Sequence, residues 1–361
     1  MTNNNLYVDI HVIQTVPAAN INRDDTGSPK KAIYGGVTRA RVSSQSWKRA
    51  MRMQFNQESQ DEAGIRTKEL PALLVKGLKT ADSTLSDDDA TAKMHDVLDA
   101  AGIKVTKDGQ TGALFLISKG QIEKIAKYAL ANEELDKKAL KKVFNGEQSL
   151  DLALFGRMVA DNPELNVEAT AQVAHAISTH EIVPEFDYFT ALDDLQPEDN
   201  AGAAMLGTIE YNSSTLYRYA NLNFAELSAD LGTETAVQGA LSYIKSFLVS
   251  MPTGKQNTFA NKTLPNYVIV TLRDDTPVNL VSAFEDPVKS NNGYVEPSIK
   301  RLEQEYQRAE SFVDAPILTA VLGRKESALG TPQQNLSALL GVVGDGLKKA
   351  AKNENINDQA H

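Results

Sequence analysis

Cysteine is absent from the 361 residues. Disulfides, zinc–thiolate sites and thiol nucleophiles are excluded with it. No apolar run of about 18 residues occurs, so no membrane-spanning helix is expected. The opening MTNNNLYVDIHVIQ lacks a basic region followed by an apolar run, so no signal peptide is expected and a cytoplasmic location fits. No H-E-x-x-H or G-x-S-x-G string is present, and the TGK of Thr253–Lys255 lacks the upstream glycine of a phosphate-binding loop. His175 and His180 stand five apart, off the i, i+4 spacing of a helical metal pair. His11, in the first apolar segment, reads as a satisfied core histidine. No catalytic residue, cofactor or metal site is therefore expected. Basic residues are also in deficit, 37 against 47 acids for a net charge of -10. Taken alone, that balance argues against a polyanionic partner.

What is present is 42% hydrophobic and 23% charged, the make-up of a globular chain with a sizeable core. The length fits one large domain or two modest ones. The charge is unevenly placed. Between Ile21 and Phe55 stand Arg23, Lys30, Lys31, Arg39, Arg41, Lys48, Arg49 and Arg52, against only Asp24 and Asp25. That window carries +6 in a chain of -10. A local basic face can hold a polyanion despite acidic flanks, because screening makes nearby charge count most.

The pattern along the chain predicts a buried strand over 6–14, then a loop with Asn22, Asp24, Asp25, Gly27, Pro29 and Gly35-Gly36. A helix follows to about Asn56, capped by Ser43 or Ser44. Residues 58–160 read as an inserted helical subdomain with one strand-like piece near Ala113–Ile117. A helix is expected over Val167–His180, with Val167, Thr170, Ala171, Ala174 and Ile177 on one side. Glu185–Leu192 reads as a strand, Asp193–Ser214 as an extended loop or hairpin, and Thr215–Asn223 as a strand. A helix is expected over Thr235–Met251, a buried strand over Pro265–Arg273, and helices near Pro297–Phe312 and Pro332–Lys352. Leaving the insertion aside, the order is β-α-β-β-α-β, that of ferredoxin-like and RNA-recognition folds. The fold class is thus α+β.

The segment Arg41–Phe55, RVSSQSWKRAMRMQF, carries the chemistry. On a helical wheel Trp47, Ala50, Met51 and Phe55 share one side, while Gln45, Lys48, Arg49 and Arg52 fall within an arc of ~100° opposite. Ser43 and Ser44 stand at the positive end of the helix dipole, where backbone N–H groups meet anions. Long cationic donors one turn apart beyond that end suit a phosphate backbone rather than base edges. The same pattern also describes a solvated basic helix face.

NRDD (Asn22–Asp25), AIYGG (Ala32–Gly36) and RVSSQSWKRAMR resemble the CasC family, the backbone subunit of type I-E CRISPR Cascade. Further matches follow in order: GRM at Gly156–Met158, AHAISTH at Ala174–His180, DYFTALDDLQ at Asp187–Gln196, LGTIEY at Leu206–Tyr211, YRYANLN at Tyr217–Asn223 and KQNTFA at Lys255–Ala260. The inserted region matches poorly. The resemblance implies an RRM-like palm (1–57 and 161–361), helical fingers (58–160) and a β-hairpin thumb (193–223). It implies a crRNA-binding subunit that lines up along the guide as a homo-oligomer of about six copies, an open rather than closed arrangement. Other Cascade subunits and target DNA paired to the guide would be its partners. Arg23, Lys30, Ser43, Ser44, Gln45, Lys48 and Arg52 match positions that touch the RNA backbone in that family. Met158 matches a residue that wedges against bases.

Other assignments stay open on the residues themselves. Arg49 extends the basic face. Met205 and Leu206 are apolar in a polar segment; they either intercalate between bases or pack on the base of their own loop. Arg157 is either a phosphate contact or a surface charge. Arg218 touches RNA or pairs with an acid, and Lys255 is a further phosphate contact in a turn. A rival reading is a metal-dependent endoribonuclease of the type III kind using Asp24, since such chemistry needs carboxylates converging on one phosphate. Asp24 and Asp25 serve equally as turn residues. A third reading is a purely structural assembly subunit.

Overall fold

The structure, a computed structural model, describes residues 5–58, 64–146, 149–159, 162–191, 205–330 and 332–352. The chain forms two compact units. The first joins 1–51, 173–225 and 240–361; the second joins 52–172 and 226–239. The second thus takes in a stretch, 226–239, that the expected insertion leaves out.

The first unit opens with strand β1 (Tyr7–Ala19), which is buried along nearly its whole length. Its β-branched residues suit a strand with neighbours on both sides. β2 (Lys31–Tyr34) and β3 (Val37–Val42) form a hairpin. β2 falls within the stretch whose Asn, Asp, Gly and Pro content predicts a loop. The turn between them uses Gly35 at φ +60 and Gly36 at φ +78, the left-handed pair a two-residue hairpin requires. Helix α1 (Ser44–Glu58) follows at once.

The second unit is mostly helical. Strand β4 (Ile65–Thr67), helices α2 (Leu70–Ala81) and α3 (Asp87–Ala101), strand β5 (Phe115–Ile117) and helices α4 (Lys119–Ala131), α5 (Lys137–Asn145) and α6 (Leu150–Phe155) succeed one another. β4 pairs with β5. Leu74, Leu78, Val97, Leu98, Ile125, Leu140 and Phe144 share one core. Ser118 and Gln121 close a capping box at the start of α4, satisfying two otherwise orphaned donors.

Strand β6 (Ala171–Val173) closes this stretch of the second unit, and the first unit resumes from Val173 with β7 (Ala176–Ser178). These replace the helix expected over Val167–His180. Its apolar positions fit a helix on a wheel, but Ala171, Val173, Ala176 and Ile177 are buried in short strands instead. β7 pairs antiparallel with β3 and with β9, so tertiary pairing overrides a weak local preference. β8 (Glu185–Ala191) and β9 (Met205–Asn223) then form a ribbon, from Glu185↔Tyr211 to Ala191↔Met205. β9 continues along β1 as far as Tyr7↔Asn223. Helices α7 (Phe224–Leu231), α8 (Thr233–Val249) and α9 (Gln256–Phe259) precede β10 (Tyr267–Arg273). Helix α10 (Val295–Ala309), strands β11 (Leu318–Leu322) and β12 (Pro332–Gln333) and helix α11 (Leu336–Ala351) complete the order.

The sheet runs β12-β11-β10-β1-β9-β7-β3-β2. Val8, Ile10 and Val12 occupy one face of β1; Asp9, His11 and Ile13 occupy the other. The second face meets Ile299, Leu302 and Tyr306 of α10 in a core with Ile13, Tyr217 and Ile269. There His11 Nδ1 lies 3.0 Å from the Tyr217 hydroxyl, as a satisfied core histidine should. Gly346 of α11 lies where a Cβ would stand 2.8 Å from Leu318 and 2.9 Å from Leu272. The architecture is α+β, with a large mixed sheet and helices on both faces. No described helix is long and apolar enough to cross a membrane.

Candidate nucleic-acid interface

The basic window folds into one edge of the first unit. The loop after β1 turns back on itself: Arg23 bridges Pro29, and the Lys30 amide donates to the Asn22 carbonyl at 2.8 Å. Asp24 makes this turn. Its Oδ1 accepts from the Thr26 amide at 2.9 Å, the Thr26 hydroxyl at 2.7 Å and the Ser28 amide at 3.0 Å. The Thr26 hydroxyl above all holds its carboxyl below the usual carboxylate range. The Lys30 carbonyl accepts from the Arg41 amide at 2.9 Å, tying the loop to β3.

β3 then delivers the start of α1. Ser43 is the cap, its hydroxyl accepting from the Ser46 amide at 3.3 Å. The Ser43 amide donates to Asn22 Oδ1 at 2.8 Å, so one asparagine fixes both the loop and the helix start. The Ser44 amide donates to His175 Nδ1 at 2.8 Å. Gln45 and Arg49 are exposed and Lys48 is half-buried. Burial lowers the Lys48 ammonium from the ordinary lysine range.

Opposite that face Trp47 is wholly buried. The Arg218 guanidinium lies 3.7 Å from its ring centroid and 4.3 Å from that of Phe247. Arg218 donates to Gln14 Oε1 and to the Phe247 carbonyl. It therefore neither reaches an exposed surface nor pairs with an acid in these contacts; burial lowers its pKa to about 9.

Lys255 reaches the same edge from far along the chain. Gly254 sits where a Cβ would meet the Ile21 carbonyl oxygen at 2.2 Å, so only glycine allows this approach. Lys255 follows at φ +50, exposed, at the start of α9. Lys31 pairs with Glu210 of β9, and is thereby partly neutralised. Within the first unit the structure gathers Arg23, Lys30, Ser43, Ser44, Gln45, Lys48, Arg49 and Lys255 onto these linked elements. Asn22, Arg41 and His175 join them. Arg41 directly precedes the expected helix, but Asn22 stands only in a motif and His175 only in a histidine spacing, and nothing in the sequence places those two at the helix start.

The second unit treats its expected residues differently. Arg52, further along α1, lies 4.0 Å from the buried Asp151 carboxylate. Arg157 is neither a surface charge nor an exposed contact. It is 5% exposed and donates to the carbonyls of Leu165 (2.9 Å) and Leu116 (3.1 Å) and to Asn145 Oδ1 (2.9 Å). Burial lowers it to about 10, so it stays charged at neutral pH. Gly156, at φ +68 and against the Val167 carbonyl, turns the chain so that Met158 is 81% exposed.

The ribbon β8–β9 exposes Phe186 and Tyr188. Met205 and Leu206 begin β9, opposite Ala191 and Thr190; their side chains, and residues 192–204, lie outside the described residues. Among the described residues no group of three or more His, Asp or Glu is placed to hold a metal ion.

Two solved structures are similar to this chain over 94% of its length. One is a chain of a CRISPR RNA-guided surveillance complex described as pre-nicking, with 31% identity, 100% of that chain covered and a TM-score of 0.80. The other is a chain of a CRISPR RNA-guided surveillance complex, with 28% identity, 99% of that chain covered and a TM-score of 0.65. Comparison with curated proteins gives no match. The sequence matches the family model of CT1975-like proteins over residues 8–340, and the chain belongs to the CT1975-like Cas family.

Proposed function

We propose that this protein is the crRNA-binding backbone subunit of a type I-E Cascade complex. The first unit acts as an RRM-like palm, the helical unit as fingers, and the β8–β9 ribbon, from Glu185↔Tyr211 to Ala191↔Met205, as the thumb. Copies line up along the guide, about six in an open heterologous arrangement, beside other Cascade subunits. They grip the guide by its phosphates and leave its bases free to pair with target DNA.

One observation carries the reading. Asn22 fixes the basic loop to the start of α1, so loop cations and helix-terminal donors share an edge. Gly254 adds Lys255 to it. Donors of this kind grip phosphates without reading bases. Within this reading Arg52 contributes less than its spacing implied, because Asp151 already faces it.

The test is binding of the protein to an oligouridylate over a salt series. Log affinity should fall steeply with log salt, by about 0.7 per phosphate contact on a single strand. A flat response would overturn the reading in favour of a purely structural subunit. For the endoribonuclease alternative, Asp24 is a poor candidate because its Oδ1 is occupied by the turn. Incubating the assembled complex with complementary RNA and Mg²⁺ should leave the RNA intact. Regular cleavage abolished by Asp24→Ala would reinstate the enzyme.

A further inference from the structure

Three histidines of the first unit differ in what their rings have left to offer. His11 is buried against Tyr217. His180 is buried with both nitrogens occupied. Its Nε2 accepts from the Thr215 amide at 3.0 Å, so Nδ1 carries the proton and donates to the Glu181 carbonyl at 2.7 Å. His175 is exposed. It stands in the turn between β6 and β7, and the pairing Val42↔Ala176 sets that turn beside Ser43 and Ser44. Its Nδ1 accepts from the Ser44 amide, and an accepting nitrogen bears no proton. The proton of the neutral ring is therefore on Nε2, on the far side of the imidazole. Among the described residues none hydrogen-bonds to that nitrogen.

We infer that His175 is an RNA-contacting residue of the proposed interface: a neutral imidazole whose Nε2–H donates to a phosphate oxygen, its tautomer fixed by the Ser44 amide. The inference rests on the phosphate-gripping reading and adds to it a donor without charge. The groups facing the ring favour neutrality. Arg41 on β3 and Lys30 in the loop are cations, and the Ser44 amide comes from the positive end of a helix dipole. Partial desolvation, then Arg41 and Lys30, lower its pKa from the ordinary histidine value. The surrounding cations supply the long-range attraction; the imidazole supplies a short, directed contact at the helix start.

A neutral donor differs from a cationic one in a measurable way. It adds affinity without releasing a counterion. The full-length protein, His175→Asn and His175→Ala would be compared for oligouridylate binding across a salt series. Asparagine can still accept from the Ser44 amide, so its thermal midpoint should match the parent. Both variants should bind about tenfold more weakly, the scale of one hydrogen bond to a charged group, with the salt slope unchanged. Nitrogen NMR of the free protein at neutral pH should place the ring proton on Nε2. Unchanged affinity of His175→Asn, a slope shallower by about 0.7, or a proton on Nδ1 would overturn the assignment. Arg23→Ala with Lys30→Ala separates the two readings. If that pair weakens binding and His175→Asn does not, only the histidine assignment fails. If neither does, the phosphate-gripping reading fails as well.

Discussion

Arginines in the interior of this protein and cations on its basic edge do opposite work with the same chemistry. Arg39 of β3 is wholly buried and donates to the carbonyls of Tyr34, Ser178 and Phe284. Arg218 sits under Trp47 with a carbonyl and an amide oxygen as partners. Each spends its planar fork on tying strands and loops together, as guanidinium suits better than ammonium. Arg23, Arg49 and Lys255 are exposed on the edge. The lesson is that a count of basic residues measures neither role. Arg39 and Arg41 stand two apart on one strand, so they share a face; Arg39 is nevertheless covered and Arg41 remains partly exposed.

The sharpest way to break this contrast is through α1, which carries both kinds of side chain. Trp47→Ala should destabilise the protein by about 3–5 kcal/mol in urea unfolding, since the ring is fully buried. A loss below about 1 kcal/mol would mean the interior side of α1 is not anchored as described, because core truncations of this size cost several times that.

The interior also holds an acid whose titration tests its burial. Asp9 is raised to about 6, chiefly by burial. Because the folded state holds this proton more tightly, the associated stability is fully present below the ordinary 3.8 and is lost as pH rises through about 6. His11, lowered to about 3 by burial, works the other way, its contribution being lost as pH falls from 6.5 towards that value. Comparing Asp9→Asn with the parent cancels the histidine. Relative to the parent, the variant should gain about 3 kcal/mol between pH 4 and pH 7 in unfolding measurements, at 1.36 kcal/mol per decade. A difference that stays constant over that range would show the carboxyl to be solvated.

Arg157→Met should cost about 2–3 kcal/mol, because buried acceptors lose their donor. The folded variant should bind RNA as the parent does. Weakened binding with unchanged stability would move Arg157 to the exposed class.

On the edge the expectation reverses. Arg23→Ala, Lys30→Ala and Lys255→Ala combined should shift stability little, roughly 0.5 kcal/mol or less per site. The salt slope for RNA should become shallower by about 2, near 0.7 per contact. Met158→Ala should have the smallest effect on folding, roughly 0.5 kcal/mol or less, since surface changes rarely exceed that. Any loss in guide–target pairing by the assembled complex would then report contact with bases rather than damage to the fold.

Long periodic elements are legible in the sequence alone. The faces of α1, the buried run Tyr267–Arg273 and the helices near the end of the sequence follow from repeating apolar spacing, which burial enforces. Short elements are not. β2 hid in a loop because four residues carry little pattern, and β6 and β7 passed for a helix because their apolar residues fit either period. The strand expected over Glu185–Leu192 is found as β8 (Glu185–Ala191). Nothing in the sequence marks Gly254 or Gly156 as facing a backbone carbonyl that admits no side chain.

By itself the sequence determined the absence of thiol chemistry, the concentration of positive charge between Ile21 and Phe55, and the two-sided helix from Ser44 to about Asn56. These depend on composition and on spacing along one element, so neighbours cannot change them. Only the tertiary structure decided which cations stay outside. Arg157 and Arg218 turn inward because distant carbonyls converge on them, while Lys255 and His175 arrive at the edge through a glycine contact and a strand register. Contacts between residues far apart in the chain leave no periodic trace in it, and His175 and Lys255 join the basic edge only through such contacts.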